Sequence, residues 1–593
     1  MRHRHPGAGP GPAGRSPSAG PSRPRRRLGA LLGATALGFG ALVAVGPPAS
    51  AATGCSAAYT TQSEWSGGFV GSVAVTDSGT TALTGWTVTF SFAGDQTVTS
   101  SWNASLTQSL GYVTASNLGY NGALGVGAST SFGFQGTYGT SDAVPASVTC
   151  TPSSTVTPAI VASTASAPVM QGFTDGFGVA LSAAPAANVT VAVSRSSGNS
   201  GLTVGSGASL TFTPTNWNTA QTVTIAANAS GTGAATFTAS SSGYTPTSVT
   251  LTEVASTPAP QLHVSGNQIQ DSTGKQVILH GVNRSGAEYA CVQGWGFFDG
   301  PVDEASILAI KSWTHVTAVR VPLNEACWNA ESYVNPTYAG ANYQKAVENY
   351  VNLLNANGIV AILDLHWTDG LYTGTSSGCS SAQATCQKPM PDAAEAIPFW
   401  SSVATAFKGN DAVIFDLFNE PYASRATGAT TSGWQCWLSG GTCAGIGYQV
   451  AGMQSMVNAV RSAGASNVLM LGGEEYSNDL SQWLAYEPTD PDGGLVASWH
   501  SYSNNTCDTQ ACWTSQVAPV MAKVPVIVGE MGEGDCGGAY IGPLTTWLNS
   551  ANTGYLAWTW DAWGGCDNVL ITDYNGDPTG YGAAYKAILQ ALP

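Results

Sequence analysis

The chain is short of charge. Only 9% of its 593 residues are Asp, Glu, Lys or Arg, and the 19 basic residues are outnumbered by 35 acidic ones. No Cys-x-x-Cys pair and no His-Glu-x-x-His segment occurs, which argues against a zinc site; no metal or cofactor is expected. No Gly-rich phosphate loop follows a first strand, so the usual mark of a doubly wound nucleotide-binding sheet is missing. Cations are also unevenly spread: seven of the 19 precede Ala52, and no acidic residue does. The remainder holds 12 basic and 35 acidic residues, a net charge of −23. Such a surface is repelled by nucleic acid and by anionic membranes. A neutral polymer is electrostatically indifferent to it.

Gly (72) and Trp (18) are plentiful. The aromatic content excludes a disordered chain, and the length predicts several domains. Residues 1–51 read as a signal peptide: Arg23, Arg25, Arg26 and Arg27, an apolar run over 28–45, then Ala49-Ser50-Ala51 as a small-residue cleavage site. The arginines match a twin-arginine signal poorly, so the Sec or Tat route stays open. A secreted, extracellular protein is expected, with no membrane anchor. Twelve Cys in an oxidising space imply disulfides. Cys55 and Cys150 bracket one segment. Neighbouring pairs are Cys379–Cys386, Cys436–Cys443 and Cys507–Cys512, with Cys291–Cys327 and Cys536–Cys566 completing an even count.

Three modules and two linkers follow. Residues 52–150 read as an all-β sandwich, with alternating runs at 71–76 and 86–92. Residues 151–158 are a Ser/Thr/Pro linker. Residues 159–254 are a second all-β module without Cys, with period-two runs at 189–193, 209–212, 222–225 and 235–239. A short linker occupies 255–260. From 261 to 593, apolar strands alternate with amphipathic helices. Strands are expected at 277–282, 318–323, 360–365, 413–417, 468–471, 495–499, 526–528 and 555–559. Helical patterns fill 304–313, 343–357 and 450–463. Eight such units predict a (β/α)8 barrel.

The C-terminal ends of barrel strands carry active sites, and these ends are unusually polar. They hold Arg320, Asp364-Leu365-His366-Trp367, Asn419-Glu420-Pro421, His500-Ser501-Tyr502, Gly529-Glu530 and Trp558-Thr559-Trp560. Two of the five His outside the leader fall there. Two Glu at nearby strand tips suit glycoside hydrolysis, in which one carboxyl attacks and the other protonates the leaving oxygen. Arg320 is suited to keeping a nucleophile ionised, Asn419 to binding a sugar hydroxyl, and Trp560 to stacking on a pyranose ring. Glu474 and Glu475 compete for the nucleophile role. Asp364 reads as a buried hydrogen-bonder, and Trp86 as core.

These residues carry a resemblance. Val319-Arg320-Val321-Pro322, Leu365-His366-Trp367, Asp416-Leu417-Phe418-Asn419-Glu420-Pro421, His500-Ser501-Tyr502, Val528-Gly529-Glu530 and Trp558-Thr559-Trp560 resemble family 5 glycoside hydrolases. The resemblance implies Glu420 as acid/base and Glu530 as nucleophile. It implies Arg320, His366, Asn419, His500, Tyr502 and Trp560 around the −1 sugar. The Cys55…Cys150 bracket, 85–90 and Ser131-Phe132-Gly133-Phe134 resemble a family 2 carbohydrate-binding module. That family's flat aromatic strip falls on Trp65, Trp102 and Tyr120, with Tyr120 in place of the usual Trp. Residues 210–214 with Asn216-Trp217-Asn218 resemble the immunoglobulin-like modules of actinobacterial cellulases, implying a spacer. The expected function is a monomeric endo-β-1,4-glucanase acting on cellulose or a related β-glycan. An endo-β-1,4-mannanase is the nearest alternative, and a non-catalytic carbohydrate-binding protein is the alternative of another class.

Overall fold

The computed structural model describes residues 54–139, 143–152, 158–374 and 380–593. The leader 1–51, most of the first linker and Cys379 lie outside the described residues.

The first module is two antiparallel four-stranded sheets face to face. One runs Cys55–Trp65, Gly68–Asp77, Ser129–Thr137, Thr97–Trp102. The other runs Ala104–Ser109, Tyr112–Asn117, Trp86–Ser91, Val148–Pro152. Alternation sends Phe69, Val73 and Val75 inward against Val88, Phe90, Phe132 and Phe134. Trp86 is core: it stacks on Phe132 at 5.5 Å, and its indole N–H donates to the Asn121 carbonyl at 2.9 Å. The Cys55–Cys150 disulfide joins the two ends of the module.

The middle module is a sandwich of a five-stranded and a four-stranded sheet. Its core holds Phe177, Val191, Phe212, Ile225 and Phe237. Trp217 is half-buried against that core, in a packing position.

The C-terminal module is a closed eight-stranded barrel. In chain order the strands are β1 (His280–Asn283), β2 (Ala318–Asn324), β3 (Val360–Trp367), β4 (Val413–Asp416), β5 (Leu469–Gly472), β6 (Leu495–Tyr502), β7 (Val526–Gly532) and β8 (Gly554–Ala557). Every neighbouring pair is parallel, so helices must return the chain outside the sheet. One of them, Ala341–Ala356, buries Tyr343, Val347, Tyr350, Val351 and Leu354, a single helical stripe.

The two side-chain rows of each strand separate into two cores. Val319, Ala361, Leu363, Leu365 and Phe415 join the layer under the helices. The alternate residues Ala318, Val360, Ile362, Ile414, Val496 and Leu556 pack with one another inside the barrel. A hairpin, Leu262–Ser265 with Gln268–Asp271, adds Leu262 and Ile269 to that inner core. Along the same inner rows, chemistry changes from apolar to polar toward the C-terminal ends: Ala318 gives way to Arg320, Ile362 to Asp364 and His366, Ile414 to Asp416, and Val496 to Ser498 and His500. Strand periodicity alone therefore delivers these groups to one mouth of the barrel.

Disulfides Cys291–Cys327, Cys436–Cys443, Cys507–Cys512 and Cys536–Cys566 are formed as expected. Among the described residues, no helix is long and apolar enough to cross a membrane.

Candidate active site

Arg320 is the hub of the polar mouth and is fully buried. Its Nε donates to Asp416 Oδ2 at 2.9 Å, and its Nη1 to Glu530 Oε1 at 2.8 Å and Asn283 Oδ1 at 3.0 Å. Its Nη2 donates to Asn419 Oδ1 at 2.9 Å and lies 3.0 Å from Asp364 Oδ1. Burial alone would lower the guanidinium pKa. Asp364, Asp416 and Glu530 outweigh that and hold it above its usual value. Burial in turn pushes Asp364 and Asp416 up to about 7, against the pull of Arg320. One cation cannot fully compensate three desolvated carboxylates. Asp364 is the buried hydrogen-bonder expected of it, bridging Arg320 to His366 Nδ1 at 2.6 Å.

The Glu420 and Glu530 carboxyls meet across this mouth. Glu420, His500 and Glu530 each present an atom within 4.8 Å of the other two. His500 Nδ1 lies 3.2 Å from Glu420 Oε1 and 3.6 Å from Glu530 Oε2. The Tyr502 hydroxyl donates to Glu530 Oε2 at 2.6 Å.

The two carboxyls differ in surroundings. Burial raises both. For Glu530 the rise is opposed by Arg320 and by the Tyr502 hydrogen bond. Glu420 is driven well above its usual range by burial and then by the charge on Glu530, with only the more distant Arg320 opposing. Its side chain stays 22% exposed to the cleft. Burial drives the His500 imidazole well below its usual pKa, with Arg320 adding to the effect. Burial likewise lowers His366 to about 4, despite Glu288 and Glu530. Both rings are neutral near pH 7. The pair is thus built to hold one proton, and the proton belongs on Glu420.

His366 stacks on Trp558, with ring centroids 5.5 Å apart and planes at 14°. Asn419 Nδ2 faces Gln387 Oε1 at 3.1 Å and His366 Nε2 at 3.4 Å, so its amide is shared between orienting partners. Trp560 requires a correction. It was expected under a sugar, but it is fully buried and edge-on to Trp313 at 4.9 Å, while its backbone N–H donates to Asn283 O. No substrate atom can reach it. The half-exposed aromatic of that strand end is Trp558, two residues beyond inward-facing Leu556; Trp560 shares its parity, so no count along the strand separates the two. Glu474 and Glu475 stand outside the pair. Glu474 is buried and accepts from Ser424 N at 2.8 Å, and Glu475 pairs with Arg425.

Sequence reasoning also missed an aromatic group beside the mouth. Tyr289 sits 6.0–6.3 Å from Trp295, Trp367 and Trp563, and Trp295 and Trp563 are each 48% exposed. Tyr289, Trp295 and Trp563 lie in loops without periodicity, so no pattern in the chain ties them together.

On the first module, Trp65, Trp102 and Tyr120 are 46%, 44% and 72% exposed. The two indoles lie on edge strands of one sheet. Glycines make room beneath them: a Cβ at Gly68 would fall 2.5 Å from Trp65, and one at Gly133 would fall 2.3 Å from Trp102. The Tyr120 hydroxyl donates to Asn103, the residue after Trp102.

Residues 270–564 match the family described as cellulase (glycosyl hydrolase family 5), and residues 55–154 match the cellulose binding domain family. The chain is 23% identical over 326 residues to the mannan endo-1,4-beta-mannosidase of Cellvibrio japonicus, covering 53% of this chain and 62% of the relative. It is 42% identical over 127 residues to endoglucanase CelA of Streptomyces lividans, covering 21% and 27%. It is 44% identical over 112 residues to chitinase 63 of Streptomyces plicatus, covering 19% and 18%. The match thus spans about a fifth of that chitinase. A solved structure, XacCel5A in complex with cellopentaose, aligns with 53% of this chain and 98% of its own at 20% identity and a TM-score of 0.39. With the matched barrel and the matched sandwich in one polypeptide, the chain carries a glycosyl hydrolase family 5 domain over residues 270–564 and a cellulose binding domain over residues 55–154.

Proposed function

We propose that this protein is a secreted, retaining endo-β-1,4-glucanase, with Glu530 as nucleophile and Glu420 as acid/base. The observation that carries the reading is the spacing of the two carboxyls, whose nearest oxygens lie within 4.8 Å. Retaining enzymes place them about 5–5.5 Å apart, whereas inverting enzymes leave about 6.5–9.5 Å for a water.

In the first step a Glu530 oxygen attacks the anomeric carbon. The bond to the leaving oxygen breaks, and that oxygen takes the Glu420 proton. Arg320 and Tyr502 keep Glu530 ionised for attack, while burial and the Glu530 charge keep Glu420 protonated. Once Glu530 is an ester it carries no charge, so one cause of Glu420's raised pKa disappears. Glu420 is then a base: it takes a proton from water, the water oxygen bonds to the anomeric carbon, and Glu530 departs. The His366–Trp558 stack forms a wall for the reacting sugar. Trp295 and Trp563 extend an apolar floor for further units, which favours a polymer over a small glycoside. Trp65, Trp102 and Tyr120 anchor the protein to crystalline glycan and raise its local concentration there. The disulfides fit an oxidising, extracellular setting.

Product analysis on carboxymethylcellulose, glucomannan and galactomannan tests the reading. Internal cleavage of cellulose with retained anomeric configuration is expected, together with at least a thousandfold loss in Glu530→Ala or Glu420→Ala. Full activity in either variant overturns the site. Cleavage of mannan alone favours the second reading, an endo-β-1,4-mannanase, which the likeness to the Cellvibrio mannosidase over half of this chain supports.

A further inference from the structure

β4 ends at Asp416, so Asn419-Glu420-Pro421 lie beyond the ladder. Their carbonyls have no strand partners, yet all three are occupied. Asn419 O accepts from Ser477 Oγ at 2.7 Å, Glu420 O from Gln387 Nε2 at 2.9 Å, and Pro421 O from Tyr476 N at 2.8 Å. Two of these donors belong to one short turn after β5.

That turn is left-handed. Glu475, Tyr476 and Ser477 have φ of 56°, 62° and 58°, and none is Gly. L-residues rarely adopt this conformation even singly, because Cβ crowds the following carbonyl. Such strain persists where surrounding contacts over-determine it, and it clusters at functional sites. The contacts here are specific. Gly472 leaves room for the Ser477 hydroxyl: a Cβ there would fall 2.2 Å from Ser477 Oγ and 3.3 Å from Asn419 O. Glu475 is tied to Arg425 at 2.5 Å, and Arg425 sits over the Tyr476 ring at 5.1 Å. The next residue, Asn478, donates Nδ2 to the carbonyl of His500 at 2.7 Å. His500 is the ring that contacts Glu420 Oε1. One segment therefore fixes the main chain on both sides of Glu420 and the main chain of its imidazole partner.

We propose that the left-handed turn at 475–477 is the device that aims the Glu420 proton, and that Ser477 is its positioning residue. The inference rests on the reading of Glu420 as acid/base. Proton delivery is sensitive to placement: an acid displaced by a fraction of its hydrogen-bond length still folds into the same pocket but no longer meets the glycosidic oxygen. Glu530 is held instead by Arg320 and Tyr502, neither of which belongs to the turn.

The test compares Ser477→Ala with the full wild-type chain on two aryl β-cellobiosides. A phenyl leaving group needs the acid's proton, and a 2,4-dinitrophenyl group leaves without it. We expect kcat/KM on the phenyl glycoside to fall about tenfold, and kcat/KM on the dinitrophenyl glycoside to change less than about twofold. Ser477→Gly lacks the same hydroxyl but adopts positive φ freely. It gives the same split and carries the test if the Ala variant does not fold. Equal losses on both substrates, or no loss on either, overturn the proposal. Failure of the wild type on both glycosides, on cellulose and on mannan overturns the underlying hydrolase reading instead.

Discussion

Tyr502→Phe isolates one of the two contacts that hold Glu530 ionised. The Tyr502 hydroxyl donates to Glu530 Oε2 at 2.6 Å, while Arg320 holds the other oxygen at 2.8 Å. Hydrogen bonds to a charged group contribute about 1.5–3 kcal/mol. Tyr502 is half-buried at the cleft, so water partly replaces it, and the low end applies. A loss of about 1.5 kcal/mol corresponds to roughly one pKa unit. The sign follows from the native arrangement: this bond favours the ionised form and lowers the Glu530 pKa, so its removal raises that pKa. Glu530 must be ionised to attack, and its titration forms the acid limb of kcat/KM. The limb should therefore move up by about one unit, while the alkaline limb, set by Glu420, shifts much less. The measurement is kcat/KM against pH on a soluble β-glycan for both proteins. An acid limb that stays in place, or moves to lower pH, refutes the assignment of Glu530 as the ionised partner.

Trp558 and Trp560 should part company. Trp558→Ala removes the face stacked on His366 and should raise KM at least tenfold with a nearly unchanged melting temperature. Trp560→Ala opens a cavity beside Trp313 and should cost about 3–5 kcal/mol, read as a lower melting temperature. In the first module, Trp65→Ala or Trp102→Ala should weaken binding to insoluble cellulose at least tenfold, with kcat on soluble substrate unchanged. A pull-down assay beside a soluble-substrate assay checks both halves of that statement.

Much of the architecture was legible because it depends on local periodicity. All eight barrel strands fall where the apolar runs predicted them, within a few residues, since a strand buried on both faces must be apolar throughout its body. The first sandwich was legible for the same reason, through alternation closed by Cys55 and Cys150. Five of the six Cys pairings formed as read, and the sixth involves Cys379, outside the described residues. The polar residues at the strand ends were visible too, because Arg320, Glu420, His500 and Glu530 interrupt apolar runs.

The sequence by itself determined that six of the eight strands would end in polar or aromatic groups, and which groups these were. The tertiary structure decided how they divide the work. Closing the barrel put Arg320, 210 residues away in sequence, on Glu530 and left Glu420 to face the cleft with only a neutral imidazole beside it. That asymmetry is electrostatic. It depends on which carboxyl reaches the buried Arg320, and no spacing along the chain encodes it. The fold likewise turned Trp560 inward and Trp558 outward, joined Tyr289 to Trp295 and Trp563, and brought a left-handed turn after β5 against the main chain of Glu420. Each depends on contacts between segments distant in sequence, where packing rather than propensity selects the partner.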